Sequence, residues 1–145
     1  MKNTGPGSPA EKLILIVDDD DSVMELFEFT ARKEGFRTVK AASGEAAIRT
    51  VRLLRPALVL LDLMLPTPGG FEVLRVLQGD DTLDIPIVVI TGRFLDHSTR
   101  EMIKQEPNVK DFMEKPVQPH VLAALLHTLL GSRAALDDSK PPGTQ

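Results

Sequence analysis

The chain has 145 residues, of which 42% are hydrophobic and 26% are charged, and its formal net charge is −4. This length and composition suit one globular domain with a sizeable core. The negative charge gives no electrostatic reason to expect a nucleic acid or an anionic membrane surface as a partner. The chain has no cysteine, which excludes disulfides and agrees with a cytoplasmic location. Neither a signal peptide nor an apolar run of membrane-spanning length is present in the sequence.

Both ends of the chain are predicted to be flexible tails. Residues 1–11 are rich in Gly, Pro and Ser, and residues 132–145 are polar and contain Pro; such stretches rarely join a packed core. Residues 12–131 form the predicted domain. No repeat or second domain is apparent, and residues 132–145 are too few to hold an effector domain. The sequence leaves open whether the chain is a stand-alone protein or part of a larger one.

The first half of the domain predicts two strand–helix units. Residues 13–17 form a continuously apolar run, which is typical of a strand buried on both faces of a parallel sheet. Asp20 or Asp21 is placed to cap a helix that ends near Gly35. Residues 36–41 predict the second strand, and a helix follows from Ser43 to just before Pro56.

The second half predicts three more strands, each followed by a helix. The strands are residues 57–61, 85–90 and 109–113, and the helices are residues 70–77, 96 to about 105, and 119–130. The residues predicted to lie on the mainly apolar faces of the five helices are Val23, Leu26, Phe27, Thr30, Ala47, Ile48, Val51, Leu54, Phe71, Leu74, Leu77, Met102, Ile103, Val121, Leu122, Leu125, Leu126, Leu129 and Leu130. The alternation predicts an α/β fold, with a doubly wound five-stranded parallel sheet in the flavodoxin-like order 2-1-3-4-5 and helices on both faces.

Reactive side chains follow four of the five predicted strands. Residues 18–21 are four consecutive aspartates after strand one, and Asp62, Thr91 and Lys115 follow strands three, four and five. Taken singly, each has a structural explanation, such as a helix cap or a solvated surface group. Because the ends of parallel strands meet at one edge of the sheet, together they suit a divalent cation and a phosphoryl group, and Mg²⁺ is the natural cation.

Four stretches in the same order, residues 13–20, 58–66, 88–91 and 114–116, resemble the receiver domain of two-component response regulators, of the stand-alone, chemotaxis-regulator-like type. The resemblance implies a phosphorelay switch. In such a switch a histidine kinase or a phosphotransfer protein donates a phosphoryl group to an aspartate, and the phosphorylated form binds a protein partner.

The resemblance also implies roles for individual residues. Asp62 is the phosphoacceptor. Asp19, Asp62 and the backbone carbonyl of Met64 bind Mg²⁺ directly, and Asp18 binds it through water. Thr91 and Lys115 contact the phosphoryl oxygens.

The resemblance implies that the side chains of Thr91 and Phe112 form the switch that responds to phosphorylation. The partner surface is expected on the helix from Asp96, strand five and the final helix. Apart from its own phosphorylation and a slow dephosphorylation, which Met64 and Arg93 are predicted to guard, no enzymatic activity is expected.

The sequence departs from the family pattern at Pro68 and Gly69, which stand where an apolar and an acidic residue are usual. Two other functions stay open. A phosphatase of the haloacid dehalogenase type would use Asp18 and Asp20, but it would leave Asp62 without a role. A phosphorylation-independent interaction module could share the fold. The three histidines, His97, His120 and His127, have no metal-binding spacing and are interpreted as ordinary surface or helix residues.

Overall fold

The structure is a computed structural model that describes residues 8–66, 69–92 and 95–132. Within these residues a five-stranded parallel sheet in the order β2-β1-β3-β4-β5 carries helices on both faces, which confirms the predicted fold. The elements are β1 Leu13–Val17, α1 Asp21–Lys33, β2 Arg37–Ala41, α2 Gly44–Leu54, β3 Leu58–Asp62, α3 Gly70–Val76, β4 Ile87–Thr91, α4 His97–Lys104, β5 Val109–Glu114 and α5 Pro119–Leu130. No helix in the described part of the chain is long and apolar enough to cross a membrane.

The core has two layers because successive side chains of a strand point to opposite faces of the sheet. In β1, Ile14 and Ile16 pack with α1 and α5, whereas Leu15 and Val17 pack with α2, α3 and α4. The central strands β3 and β4 are buried along their whole length. Burial on both faces explains why these strands are continuously apolar in the sequence.

The strand register brings the functional strand ends together. Val17 lies opposite Leu61, and Asp62 lies opposite Ile90. β3 and β4 end at Asp62 and Thr91, one residue later than predicted. Both side chains are therefore held by strand backbone and not by a loop.

Three helix N-caps form, at the predicted positions Asp20 and Ser43 and at Asp96, which was predicted to begin its helix. The carboxylate of Asp20 accepts hydrogen bonds from the N–H groups of Ser22 and Val23, and the side chains of Ser43 and Asp96 cap α2 and α4 in the same way. These caps fix where each helix leaves the edge of the sheet that carries the reactive side chains.

Several inward-facing predictions are wrong. The side chains of Leu26, Leu54, Phe71, Met102 and Val121 are exposed. Helices of this kind touch the sheet along a narrow stripe, and these residues lie at the margins of their apolar faces. The positions that pack instead include Met24, Ala31 and Val73.

The predicted flexible tail of residues 1–11 is wrong for residues 8–11. Ser8 is buried, and Pro9–Glu11 form a short 3₁₀ helix whose Pro9 carbonyl accepts a hydrogen bond from the Lys12 N–H. Pro9 also lies against Gly35, where an added Cβ would be 3.2 Å from the Pro9 Cβ. Residues 1–7 and 133–145 lie outside the described residues.

Candidate functional site

Three carboxylates meet where β1 and β3 end. One oxygen from each of Asp18, Asp19 and Asp62 lies within 4.8 Å of the other two. Asp18 is 0% and Asp62 3% exposed, whereas Asp19 is exposed. The structure therefore brings together the acids predicted from the strand ends, with one side of the group open to water.

Backbone N–H groups fix the two buried carboxylates. The N–H of Asp20 donates to Asp18 Oδ1 at 2.9 Å, and the N–H of Met64 donates to Asp62 Oδ1 at 3.0 Å. Each bond spans two residues, so the turn after each strand holds its own aspartate. The remaining oxygen of each carboxylate faces Lys115.

Gly70 sets how closely α3 approaches this turn. A Cβ added at Gly70 would lie 2.3 Å from the Asp62 carbonyl oxygen and 2.4 Å from the Leu63 Cα. Any side chain at this position would collide with the backbone that carries Asp62. Gly70 was predicted at the start of the helix, but this requirement could not be predicted from the sequence, because the contact depends on the tertiary approach of helix and strand.

Lys115 is the cation of the group. Its Nζ is 2.8 Å from Asp18 Oδ2 and 3.6 Å from Asp62 Oδ2. Its N–H donates to the Thr91 carbonyl at 2.9 Å, and the following peptide bond, to Pro116, is cis. Thus a backbone hydrogen bond to β4 places the ammonium between the two buried acids.

The charges of the three carboxylates and of Lys115 do not cancel, and they shift the pKa values of Asp62 and Lys115. Burial raises the pKa of Asp62 above its ordinary value, and the charges of Asp18 and Asp19 raise it further, against the opposing effects of the Met64 N–H and Lys115. Burial alone would lower the pKa of Lys115, but its hydrogen bond to Asp18 and the charge of Asp62 raise the pKa overall. Among the described residues three carboxylates face one ammonium, which leaves an excess of negative charge.

The donor set fits a hard divalent cation. Carboxylate oxygens close together, with one open side, are what Mg²⁺ binding requires. Asp18, Asp19 and Asp62 provide this arrangement. The side chain of Met64 is exposed, and metal binding by its backbone carbonyl stays a prediction.

Thr91 and Phe112 occupy neighbouring strands but are not opposite each other. Thr91 is completely buried at the end of β4 and lies opposite Glu114, while Phe112 lies opposite Val89. Phe112 is half-buried. The sequence placed Phe112 beside Thr91; the register sets it two residues earlier along β5.

Of the loop residues singled out in the sequence, Pro68, Gly69 and Arg93, the structure describes only Gly69. Arg93 and Pro68 lie outside the described residues. Gly69 has extended backbone geometry at the N-cap of α3, and α3 begins at the predicted residue, Gly70.

His127, interpreted from the sequence as an ordinary surface or helix residue, lies in α5 but not at the surface. It is buried, its Nε2 lies 2.9 Å from Glu34 Oε1, and its Nδ1 lies 2.7 Å from Ser132 Oγ. Its ring centroid is 5.0 Å from that of Phe36. Its place within the apolar stripe of α5, next to Leu126, was the signal that could have revealed its burial.

Comparison with known proteins agrees with this site. The sequence model of the response regulator receiver domain matches residues 14–127. The chain is 40% identical over 117 residues to the DNA-binding response regulator MtrA of Mycolicibacterium smegmatis, which covers 81% of this chain and 50% of that protein. It is 36% identical over 128 residues to the transcriptional regulatory protein AfsQ1 of Streptomyces coelicolor, covering 87% of this chain and 55% of that protein.

A solved structure shows the same architecture. The crystal structure of a signal receiver domain from Vibrio parahaemolyticus has a TM-score of 0.75 and 26% identity, covering 88% of this chain and 95% of that one. The chain spans about half the length of the curated relatives it matches.

Proposed function

Because the chain belongs to the response regulator receiver domain family, and so is a phosphorelay receiver, we propose that Asp62 is its phosphoacceptor. One observation carries this assignment. Asp62 is a buried carboxylate whose Oδ2 lies 3.6 Å from the Lys115 ammonium, in a group with two further carboxylates. A buried carboxylate that lies beside an ammonium and beside two further carboxylates able to bind a metal ion is suited to carry a phosphoryl group.

The transfer itself requires little covalent help from the protein. An Asp62 carboxylate oxygen attacks the phosphorus of a phosphohistidine, the new O–P bond forms, and the P–N bond breaks with its electron pair left on the imidazole. The donor is a histidine kinase or a phosphotransfer protein. Lys115 neutralises charge on the phosphoryl oxygens, and Thr91 donates a hydrogen bond to one of them.

The bound cation is proposed to be Mg²⁺. Asp19, Asp62 and the Met64 carbonyl would hold it directly, and Asp18 would hold it through water. When bound, Mg²⁺ supplies the positive charge that lets an anionic carboxylate approach an anionic phosphoryl group. The excess of negative charge in the described group supports this proposal.

The output surface is proposed to consist of α4, β5 and α5. Thr91 ends β4 and Phe112 lies on the adjacent strand. If the phosphoryl group draws the Thr91 hydroxyl towards it, space opens into which the half-buried Phe112 ring can turn. A protein partner that recognises this surface would then distinguish the two forms.

The chain is proposed to act as a switch and not as an enzyme on other substrates. Its own phosphorylation and a slow dephosphorylation are its only expected reactions. Met64 is apolar and exposed next to Asp62, so its side chain offers no group to orient an attacking water. The cysteine-free composition agrees with a cytoplasmic location.

The names of the relatives refer to DNA-binding and transcriptional regulators, and the matched stretch covers 50% and 55% of their lengths. The net charge of −4 gives no reason to assign DNA contact to this domain itself. We therefore propose a protein partner for the described domain.

The two alternative functions are less well supported. In the phosphatase alternative, Asp20 would serve as the general acid, but hydrogen bonds from Ser22 and Val23 lower its pKa and so favour the ionised form. The second acidic pair that such an enzyme needs, Asp137 and Asp138, lies outside the described residues. A phosphorylation-independent module would have no use for the buried ion pair at Asp62.

Intact mass spectrometry after incubation with a small phosphodonor and Mg²⁺ tests the assignment. The wild-type protein should gain one phosphoryl group, and Asp62→Asn should gain none. Asp21→Asn, which changes an exposed aspartate in the first turn of α1, is the matched control and should behave as wild type. A persistent mass gain in Asp62→Asn would refute Asp62 as the acceptor.

A further inference from the structure

Arg100 of α4 contacts two side chains of β5 at the same time. Its Nη2 is 3.3 Å from Glu114 Oε2, and its Cζ is 5.1 Å from the centroid of the Phe112 ring. Glu114 and Phe112 are two residues apart, so their side chains lie on the same face of the strand. The Arg100 side chain is only 26% exposed. The guanidinium is thus held over the aromatic face with much of its water removed, where a cation–π contact is stronger.

Both contacts lie next to the proposed phosphorylation site. Glu114 lies opposite Thr91 in the sheet and precedes Lys115. The N–H of Lys115 donates to the Thr91 carbonyl. Arg100 therefore connects α4 to the segment of β5 whose end supplies the ammonium of the site.

We propose that Arg100 is a positioning residue that holds Phe112 in its half-buried position and so stabilises the unphosphorylated form of the α4–β5 surface. The inference rests on the proposed function, since it assumes that phosphorylation moves the Phe112 ring. If the ring turns inwards, its face leaves the guanidinium and the cation–π contact is lost. Arg100 thus favours one of the two ring positions, and the balance between them shifts when the contact is removed.

The two contacts of Arg100 contribute unequally. A cation–π contact of this exposure is strong enough to change an equilibrium about two- to fivefold. The ion pair contributes less, because the Glu114 side chain is 60% exposed and water screens the pair. The role of Glu114 is to orient the guanidinium over the ring. Removal of Arg100 should therefore have a larger effect than removal of the Glu114 charge.

Fluorine NMR of the protein labelled with 4-fluorophenylalanine measures the position of the ring. The Phe112 resonance is assigned by its loss in Phe112→Leu. Spectra are recorded without Mg²⁺, and then with Mg²⁺ and beryllofluoride as the phosphoryl mimic. The variants are Arg100→Gln, Arg100→Lys and Glu114→Gln. Lys104→Gln is the matched control, because it removes one positive charge from the same helix at an exposed site whose ion pair is to Glu101.

In wild type the mimic should move the Phe112 resonance from one position to another. In Arg100→Gln without the mimic, the resonance should lie between the two wild-type positions. This corresponds to a population of the inward-turned ring about two- to fivefold larger than in wild type. Glu114→Gln should show a smaller shift in the same direction, Arg100→Lys should restore part of the wild-type position, and Lys104→Gln should match wild type.

Two results would overturn the inference, and they differ in what else they affect. If the mimic moves the resonance in wild type but Arg100→Gln leaves it unchanged in the free protein, Arg100 does not position the ring and the proposed function stands. If the mimic moves no resonance even in wild type, both the role of Arg100 and the proposed movement of Phe112 are wrong, while the assignment of Asp62 as phosphoacceptor is decided by the intact-mass experiment.

Discussion

Two clusters of polar side chains, each with buried members, lie at opposite edges of the sheet. The first, which we call the strand-end cluster, consists of Asp18, Asp19, Asp62 and Lys115. The second, the helix-end cluster, consists of Glu34, His127 and Ser132 and joins the C-terminal ends of α1 and α5. Both connect distant parts of the chain through short polar contacts.

The clusters differ in how completely their groups are paired within the protein. In the helix-end cluster Glu34 and Ser132 each contact one ring nitrogen of His127, so both ring nitrogens have a partner. In the strand-end cluster three carboxylates share one ammonium. A buried cluster whose polar groups are hydrogen-bonded to one another needs no further ligand. A cluster with more carboxylates than cations indicates a place where a cation binds.

The strand-end cluster depends on the close approach of α3 to the backbone of Asp62. Disturbing this approach should give the largest effect on stability. Gly70→Ala places a Cβ 2.3 Å from the Asp62 carbonyl oxygen. Backbone must then move, and the free energy of unfolding should fall by about 3 kcal/mol, as measured by urea denaturation.

Gly92→Ala is the matched control for this change. An added Cβ there makes an ordinary 3.7 Å contact with the Lys115 Cδ. Its stability should stay within about 0.5 kcal/mol of wild type. Equal stability of Gly70→Ala and Gly92→Ala would show that α3 can move away without cost.

The helix-end cluster should matter for stability and not for phosphorylation. His127→Ala leaves Glu34 and Ser132 without their partner and removes packing against Phe36, so the free energy of unfolding should fall by about 2 kcal/mol. His120→Ala, at an exposed position, should change stability little. Phosphorylation measured by intact mass should be normal in both folded variants. A loss of phosphorylation in His127→Ala below its unfolding temperature would contradict the separation of the two clusters.

The excess charge of the strand-end cluster should appear as a pH dependence of stability. Burial, assisted by the charge of Asp18, raises the pKa of Asp62 in the folded protein. The folded state therefore binds the proton more tightly than the unfolded state, and this contribution is largest below the unfolded pKa and lost as pH rises through the folded one. Without Mg²⁺, Asp62→Asn should be more stable than wild type at pH 7.

The stability difference should shrink as the pH falls towards the ordinary aspartate pKa of 3.8. We expect this to be a smaller effect than the two above. Denaturation of both proteins across this pH range in a metal chelator measures it. A difference that stays constant with pH would mean that the ionisation of Asp62 does not destabilise the fold.

The two clusters also show what a sequence can reveal. The strand-end cluster was predictable because each acid directly follows a buried strand, and parallel strands end at one edge of the sheet. The helix-end cluster was missed because Glu34 and His127 are 93 positions apart and neither follows a strand.

Helix faces were predicted less well than strands. The four residues of β3 before Asp62 are all apolar and buried, so β3 could be located to within one residue. On α1, by contrast, both Leu26 and Phe27 are apolar, and only the packing of the helix determines that Phe27 is buried. The contacts of Arg100 with β5 were missed for the same reason, since a lone arginine on an amphipathic helix carries no sequence signal of its partner.

The most direct test of the charge argument is the effect of Mg²⁺ on thermal unfolding. At about five times its dissociation constant, a specifically bound ion adds about 1 kcal/mol to the free energy of unfolding, which for a chain of this size raises Tm by roughly 4 °C. Asp19→Asn, in the strand-end cluster, should remove most of this rise. Glu34→Gln, which also removes one carboxylate but from the helix-end cluster, should keep it. An unchanged Tm in wild type, or an equal rise in both variants, would contradict a cation site at the strand ends.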